Sequence, residues 1–162
     1  MFDVAGILAC SAYIDLNPVR AGIAKTLEDS DHTSIQDRIH QKTKKVPSRC
    51  KDWPKVPLLS LADATEKSVT LEQYLKLVDE TGRLIRDGKS SLSAEMAPIL
   101  AKLNIEPTEW VKTTEQFRNN FKRVVGCPEL IKDAAEKANK FWFQGIRAAS
   151  KVFGGQVARR AT

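Results

Sequence analysis

The residue types best suited to chemistry stand close together near the start of the chain: Tyr13, Asn17 four positions later, Pro18, and Arg20 before Gly22. A phenol titrates at about pH 10, so at neutral pH it needs a metal ion or a base to lower the cost of forming phenolate. If one helix ran through Asn17, its side chain would share a face with Tyr13. Pro18 argues instead that Asn17 caps a new turn, so two uses compete for one side chain. A half-buried tyrosine on an amphipathic helix needs neither metal nor base, and by residue type alone packing is the simpler use.

The element that must position Tyr13 is the segment from Asp3 to Leu16. It is mostly apolar or small, and Val4, Ile7, Leu8 and Ala12 fall on one face at helical spacing. A helix is predicted there, ended by Asn17-Pro18 and followed by a short turn that closes on Gly22. Gly6, Ala9 and Cys10 lie one and two turns before the phenol, so the neighbouring surface is built of small residues. A sheet, another helix or a nucleic-acid backbone could approach it closely.

The run Ala12-Tyr13-Ile14-Asp15-Leu16-Asn17-Pro18-Val19-Arg20-Ala21-Gly22-Ile23 resembles the tyrosine-helix motif of the single-tyrosine HUH transposases, in particular the REP-associated tyrosine transposases. The resemblance implies that Tyr13 is a nucleophile that cuts single-stranded or hairpin DNA and leaves a 5′-phosphotyrosine link. It also implies a divalent metal, Mg or Mn, held in the complete enzyme by a His-hydrophobic-His pair, with Asn17 matching the polar residue that helps to hold it. Asp31-His32-Thr33-Ser34-Ile35-Gln36 is similar to the family's segment after the tyrosine helix. More loosely, Leu71 to Asp79 with Thr81-Gly82-Arg83 resembles the helical C-terminal extension of longer members. A complete member carries its catalytic sheet and histidine pair before the tyrosine, whereas twelve residues precede Tyr13 in this sequence. His32 and His40 lie after it, eight apart, and do not form that pair. The resemblance therefore covers the C-terminal half of a transposase. Its expected partners are DNA and an N-terminal transposase half, and this chain by itself is expected neither to hold the metal nor to cleave.

Composition sets wider bounds. A chain of 162 residues can bury one moderate core or two small helical units. With 42% hydrophobic and 28% charged residues it belongs with folded proteins and not with disordered ones. The formal charge of +6 favours an anionic partner. Cys10, Cys50 and Cys127 are odd in number and in no metal-ligand spacing, which suits a reducing cytoplasm. The uncharged run from Val4 to Ile14 is too short to span a membrane, and Asp3 sits where an export signal would need positive charge. No membrane association is expected.

The predicted fold is mainly α. Residues 1–41 form a tyrosine-helix unit, with Thr33 or Ser34 capping a helix that carries Ile35 and Ile39. Residues 42–69 form a basic, proline-containing linker. Residues 70–155 form a unit of about four helices, and 156–162 a basic tail. In the third part, Thr70 and Gln73 have capping-box spacing, and Leu71, Tyr74, Leu75, Val78 and Ile85 continue a helix to Asp87-Gly88. A helix over Ser93 to Leu103 must accommodate Pro98. Another, from Pro107 to Gly126, places Trp110, Thr114, Phe117, Phe121 and Val124 in the core. The last is predicted to run unbroken from Pro128 to Phe153, with Ile131, Ala135, Ala138, Trp142, Ile146, Ala149 and Phe153 inward. Lys137, Lys140, Arg147 and Lys151 would then form a basic stripe opposite, either a solvated surface or a track for phosphates. With Arg20, Lys42, Lys44 and Lys45 they are the candidate DNA contacts. The competing reading is a helical nucleic-acid-binding or protein-interaction module in which Tyr13 only packs.

Overall fold

The computed structural model describes residues 3–44, 60, 69–89 and 92–153. Asp3 starts the first helix, α1 (Val4–Asp15), by accepting from the backbone N–H of Ala5 at 3.0 Å and of Gly6 at 3.4 Å. Its other carboxylate oxygen accepts from the Cys127 N–H at 2.5 Å, which ties the start of the chain to its far end. A short helix, α2 (Asn17–Arg20), follows at once, with Pro18 in its first turn. The expected cap role of Asn17 is corrected here. Leu16 occupies the cap position, Asn17 is already helical, and α2 has no side-chain capping bond.

Thr33 caps α3 (Ser34–Thr43) through the Gln36 N–H. Thr70 and Gln73 form the predicted capping box at the head of α4 (Leu71–Arg86), with bonds of 3.2 and 3.0 Å. The helix predicted over Ser93 to Leu103 is shorter, α5 (Ala97–Lys102), because Pro98 is confined to its first turn. The one predicted from Pro107 to Gly126 is divided into α6 (Pro107–Glu115) and α7 (Phe117–Asn120), and Phe121 turns to extended backbone. The single last helix is also two, α8 (Pro128–Lys137) and α9 (Ile146–Val152). Asn139 enters the left-handed region at φ 52°, and the N–H groups of Asn139 and Lys140 close back on the carbonyls of Glu136 and Ala135, both at 2.9 Å. That paired closure satisfies the last carbonyls of α8 and ends the helix.

The architecture is all helix among the described residues, and α6 is its centre, packed by α1, α4, α5, α7 and α9. Trp110 of α6 is fully buried, and its indole N–H donates to Thr81 Oγ1 of α4 at 2.9 Å. Next to Thr81, Gly82 lets Leu16 in so closely that a Cβ there would lie 2.8 Å from Leu16 Cδ2. Leu8 and Leu16 share one core with Tyr74, Leu77, Trp110 and Phe153, so residues from the 1–41 and 70–155 segments pack together. Inside it a polar node joins three helices: the Asp15 carboxylate accepts from the Tyr74 hydroxyl at 2.5 Å and from Ser34 Oγ at 2.6 Å. No helix among the described residues is long and apolar enough to cross a membrane.

Candidate functional site

Tyr13 lies near the end of α1, partly buried, and its ring is held on the helical body. The Phe117 ring stacks on it with centroids 4.8 Å apart and planes 20° apart. The Arg20 guanidinium carbon lies 4.6 Å from the Tyr13 ring centroid, a cation–π contact. Arg20 Nη2 also donates at 2.8 Å to the carbonyl of Glu115, the last residue of α6, where helix carbonyls lack partners and the dipole is negative. Arg20 Nη1 is buried without a partner. Among the described residues the Tyr13 hydroxyl makes no hydrogen bond. Ring packing thus fixes the side chain, with its hydroxyl unengaged among the described residues.

The small surface beside the phenol is taken up partly by the chain itself. A Cβ on Gly6 would stand 3.1 Å from the Val125 carbonyl oxygen and 3.2 Å from Gly126 Cα, so the segment before α8 crosses α1 at that point. The other side of the helix is different. No charged residue occurs between Asp3 and Asp15. Ala5, Leu8, Ala9 and Ala12 face the core, while Ile7 and Cys10 are half-buried and Ile14 is 56% exposed. At 100° per residue these last three fall within an arc of about 60°. Ile7 and Ile14 are turned outward, whereas Cys10 packs against the core beside them.

Asp15 and the thiols of Cys10 and Cys127 are not available for chemistry. Asp15 is turned inward to Tyr74 and Ser34. Burial holds its carboxyl above the ordinary carboxylate range, against the lowering effect of those two bonds. Burial likewise pushes the Cys10 and Cys127 thiols up, the opposite of what an activated thiolate requires. Asn17 is exposed on α2. A divalent ion takes several oxygen or nitrogen ligands, and no group of three His, Cys, Asp or Glu that could hold one occurs among the described residues. The residues around Tyr13 therefore do not fit a metal centre of their own. His32 sits in a left-handed turn at φ 65°, and His40 is on α3.

Comparison with known proteins gives this arrangement no counterpart. No family model, no curated protein and no solved structure matches the chain.

The candidate cations are dispersed. Arg20 is engaged as described. Lys42 is exposed 3.6 Å from Glu72, and Lys44 ends α3 in the left-handed conformation. Lys45 lies outside the described residues. The unbroken stripe of Lys137, Lys140, Arg147 and Lys151 is corrected by the division of its helix. Lys137 ends α8, Lys140 lies in the following turn, and Arg147 and Lys151 are exposed on α9. The last two line a cleft of about 300 Å³ against α6, with Glu109 and Lys112. Trp142, expected in the core, is 67% exposed, and Phe141 beside it is completely exposed. Lys122 and Arg123 line a second pocket with Lys140 and Trp142. Helical periodicity missed that grouping because it presumed the wrong backbone.

Proposed function

We propose that this chain is the tyrosine-bearing helical part of a single-tyrosine DNA transposase. In this reading Tyr13 is the nucleophile and the outward face of α1 rests on a metal-carrying sheet supplied by another segment or chain. The observation that carries the reading is the outward pair of Ile7 and Ile14 on a helix with no charged residue between Asp3 and Asp15. A surface helix ordinarily shows water a polar face, and an apolar outer side next to Tyr13 suits a layer that brings the rest of the site with it. The Tyr13 oxygen would bond to the phosphorus of a single strand and the bond from phosphorus to the 3′-oxygen would break. The phenolic proton leaves, and the departing 3′-oxygen takes one up. Arg20 holds the Tyr13 ring in place, and the exposed Lys137, Lys140, Arg147 and Lys151 attract the strand. The free thiols of Cys10 and Cys127 suit action in a reducing cytoplasm.

The test is to combine the chain with a sheet-bearing segment of this family that carries the histidine pair, supply Mg or Mn, and offer a labelled hairpin with a single-stranded flank. A covalent protein–DNA adduct is expected, lost in Tyr13→Phe, and association should weaken in Ile14→Asp. Cleavage that survives Tyr13→Phe would sink the reading. A second reading is favoured by the contacts of Phe117 and Arg20 with the Tyr13 ring: a non-catalytic helical DNA-binding module in which Tyr13 only packs. Salt-sensitive DNA binding without any association through α1 would select it.

A further inference from the structure

We propose that the turn between α8 and α9 is a stacking platform for unpaired bases. Phe141 and Trp142 receive the bases, and Lys122, Arg123 and Lys140 hold the phosphates of one strand. The protein buries Tyr74, Trp110, Phe117, Phe121 and Phe153, yet leaves Phe141 at 107% and Trp142 at 67% exposure. Two adjacent rings in water, in a chain that hides so many others, mark a surface that meets something else.

The turn that carries them is a built feature. At its start the Lys140 N–H is bonded to the Ala135 carbonyl at 2.9 Å. At its end the Gln144 side-chain amide donates to the Asn119 carbonyl. Gly145, at φ 125°, passes so near Phe121 that a Cβ would lie 2.8 Å from its ring. Phe143 turns inward against the core, with the Arg123 guanidinium 5.9 Å from its ring centroid. The inward ring anchors the turn, and the two outward rings are thereby presented.

Charge selects the occupant. No Asp or Glu occurs from Gln116 to Pro128, or from Lys137 to the end of the chain. The pocket of about 240 Å³ beside Trp142 is lined by Lys122, Arg123, Lys140, Phe143 and Gln144, with no acid among them. Cations interleaved with exposed rings and free of acids suit a polyanion with flat apolar faces, which is a single nucleic-acid strand. In a duplex the base faces are stacked on one another and closed to the rings. The platform rests on the DNA-binding part of the reading above and requires nothing of Tyr13.

The experiment measures binding of the 162-residue chain to a fluorescein-labelled oligothymidylate by anisotropy, with tryptophan emission followed in parallel. Phe141→Ala and Trp142→Ala should each weaken binding by about fivefold or more, while Trp142→Phe keeps most of it. Arg123→Gln and Lys140→Gln should each lower the slope of log affinity against log salt by about 0.7. Duplex of equal length should compete poorly. The altered side chains are exposed, so thermal melts should match the wild type, and binding changes then report the surface. Alanine variants that bind as the wild type does, or duplex that competes equally, overturn the platform and leave DNA binding standing. Absence of any binding overturns both. Binding that depends on Phe141 and Trp142 in a protein that does not cleave even with the sheet-bearing segment and metal supplied supports the platform and removes only the chemistry assigned to Tyr13.

Discussion

Tyr74→Phe is the sharpest probe of how the Tyr13 helix is held. Tyr74 is 0% and Asp15 2% exposed, so when the hydroxyl is deleted no water takes its place at Asp15 Oδ2. A hydrogen bond to a charged group contributes about 1.5–3 kcal/mol, and Ser34 still serves the other oxygen, so the expected loss at pH 7 is about 2 kcal/mol. With a urea m-value of about 2 kcal/mol/M, the midpoint should fall by about 1 M. The loss should depend on pH. Burial raises the Asp15 pKa in the folded protein, so the folded state holds this proton more tightly than the unfolded chain. The carboxyl therefore makes its full contribution below the ordinary carboxylate pKa and loses it as pH rises through the raised value. The Tyr74 bond acts to lower that pKa, so removing it raises the value further. Once Asp15 is protonated, the deleted bond is neutral and its loss costs only about 0.5–1.5 kcal/mol. Urea melts of both proteins at neutral pH and at about pH 3.5, below the ordinary carboxylate pKa, follow the change. A difference that stays constant or grows on acidification would refute the charged-bond account.

Tyr13→Phe should leave stability within about 0.5 kcal/mol of wild type, because the ring keeps Phe117 and Arg20 and the deleted hydroxyl has no partner among the described residues; a thermal melt lowered by several degrees would contradict that. Trp110→Phe should cost about 1–3 kcal/mol through lost indole volume and the lost bond to Thr81, read from urea midpoints, and an unchanged midpoint would remove α6 from the centre of the core. Gly6→Val should cost at least about 1–3 kcal/mol, because the added carbons meet Val125 and Gly126 backbone that cannot rotate aside. A Gly6→Val melt at or above the wild type would show that the crossing segment yields.

Where the sequence was readable, one residue type decided a local outcome. Gly22 and Gly88 were legible as helix stops because glycine takes positive φ freely, and both do so, at 69° and 66°. Asn104 and Asn139 end α5 and α8 in the same left-handed way, at φ 54° and 52°. Asn139 is not legible as a stop, because asparagine is merely tolerant of that conformation and the flanking apolar periodicity runs on through it. The consequence was large: extending one helix past Asn139 put Trp142 inside the core and lined up four cations that the turn separates. The Thr70–Gln73 cap was legible because both partners lie within one turn. The Asp15–Tyr74 bond was not, since 59 residues separate its ends and neither residue type demands the other. Its one local signal was an acid closing an otherwise uncharged helix. The Tyr13 motif was legible as a pattern. Its packing by Phe117 and Arg20 was not, because that depends on how α6 and α7 meet α1.

That packing explains why so much helical structure accompanies one phenol. The Tyr13 ring touches Arg20, Arg20 closes the end of α6 at Glu115, and α6 is fixed by Trp110 to Thr81 of α4. Leu16, three residues after Tyr13, is seated against Gly82 on the same helix, and Asp15 between them is bonded to Tyr74. Tyr13 is thus referenced to α4 by three routes, two through the backbone around it and one through its own ring. In the proposed reading Tyr13 is the nucleophile, which has to be held to a few tenths of an ångström while its oxygen stays free, and rigid elements hold such groups better than loops. Packing alone would be satisfied by any ring of similar size. The buried Tyr74 hydroxyl is bonded to Asp15, whereas among the described residues the Tyr13 hydroxyl makes no hydrogen bond although its ring is held by Phe117 and Arg20.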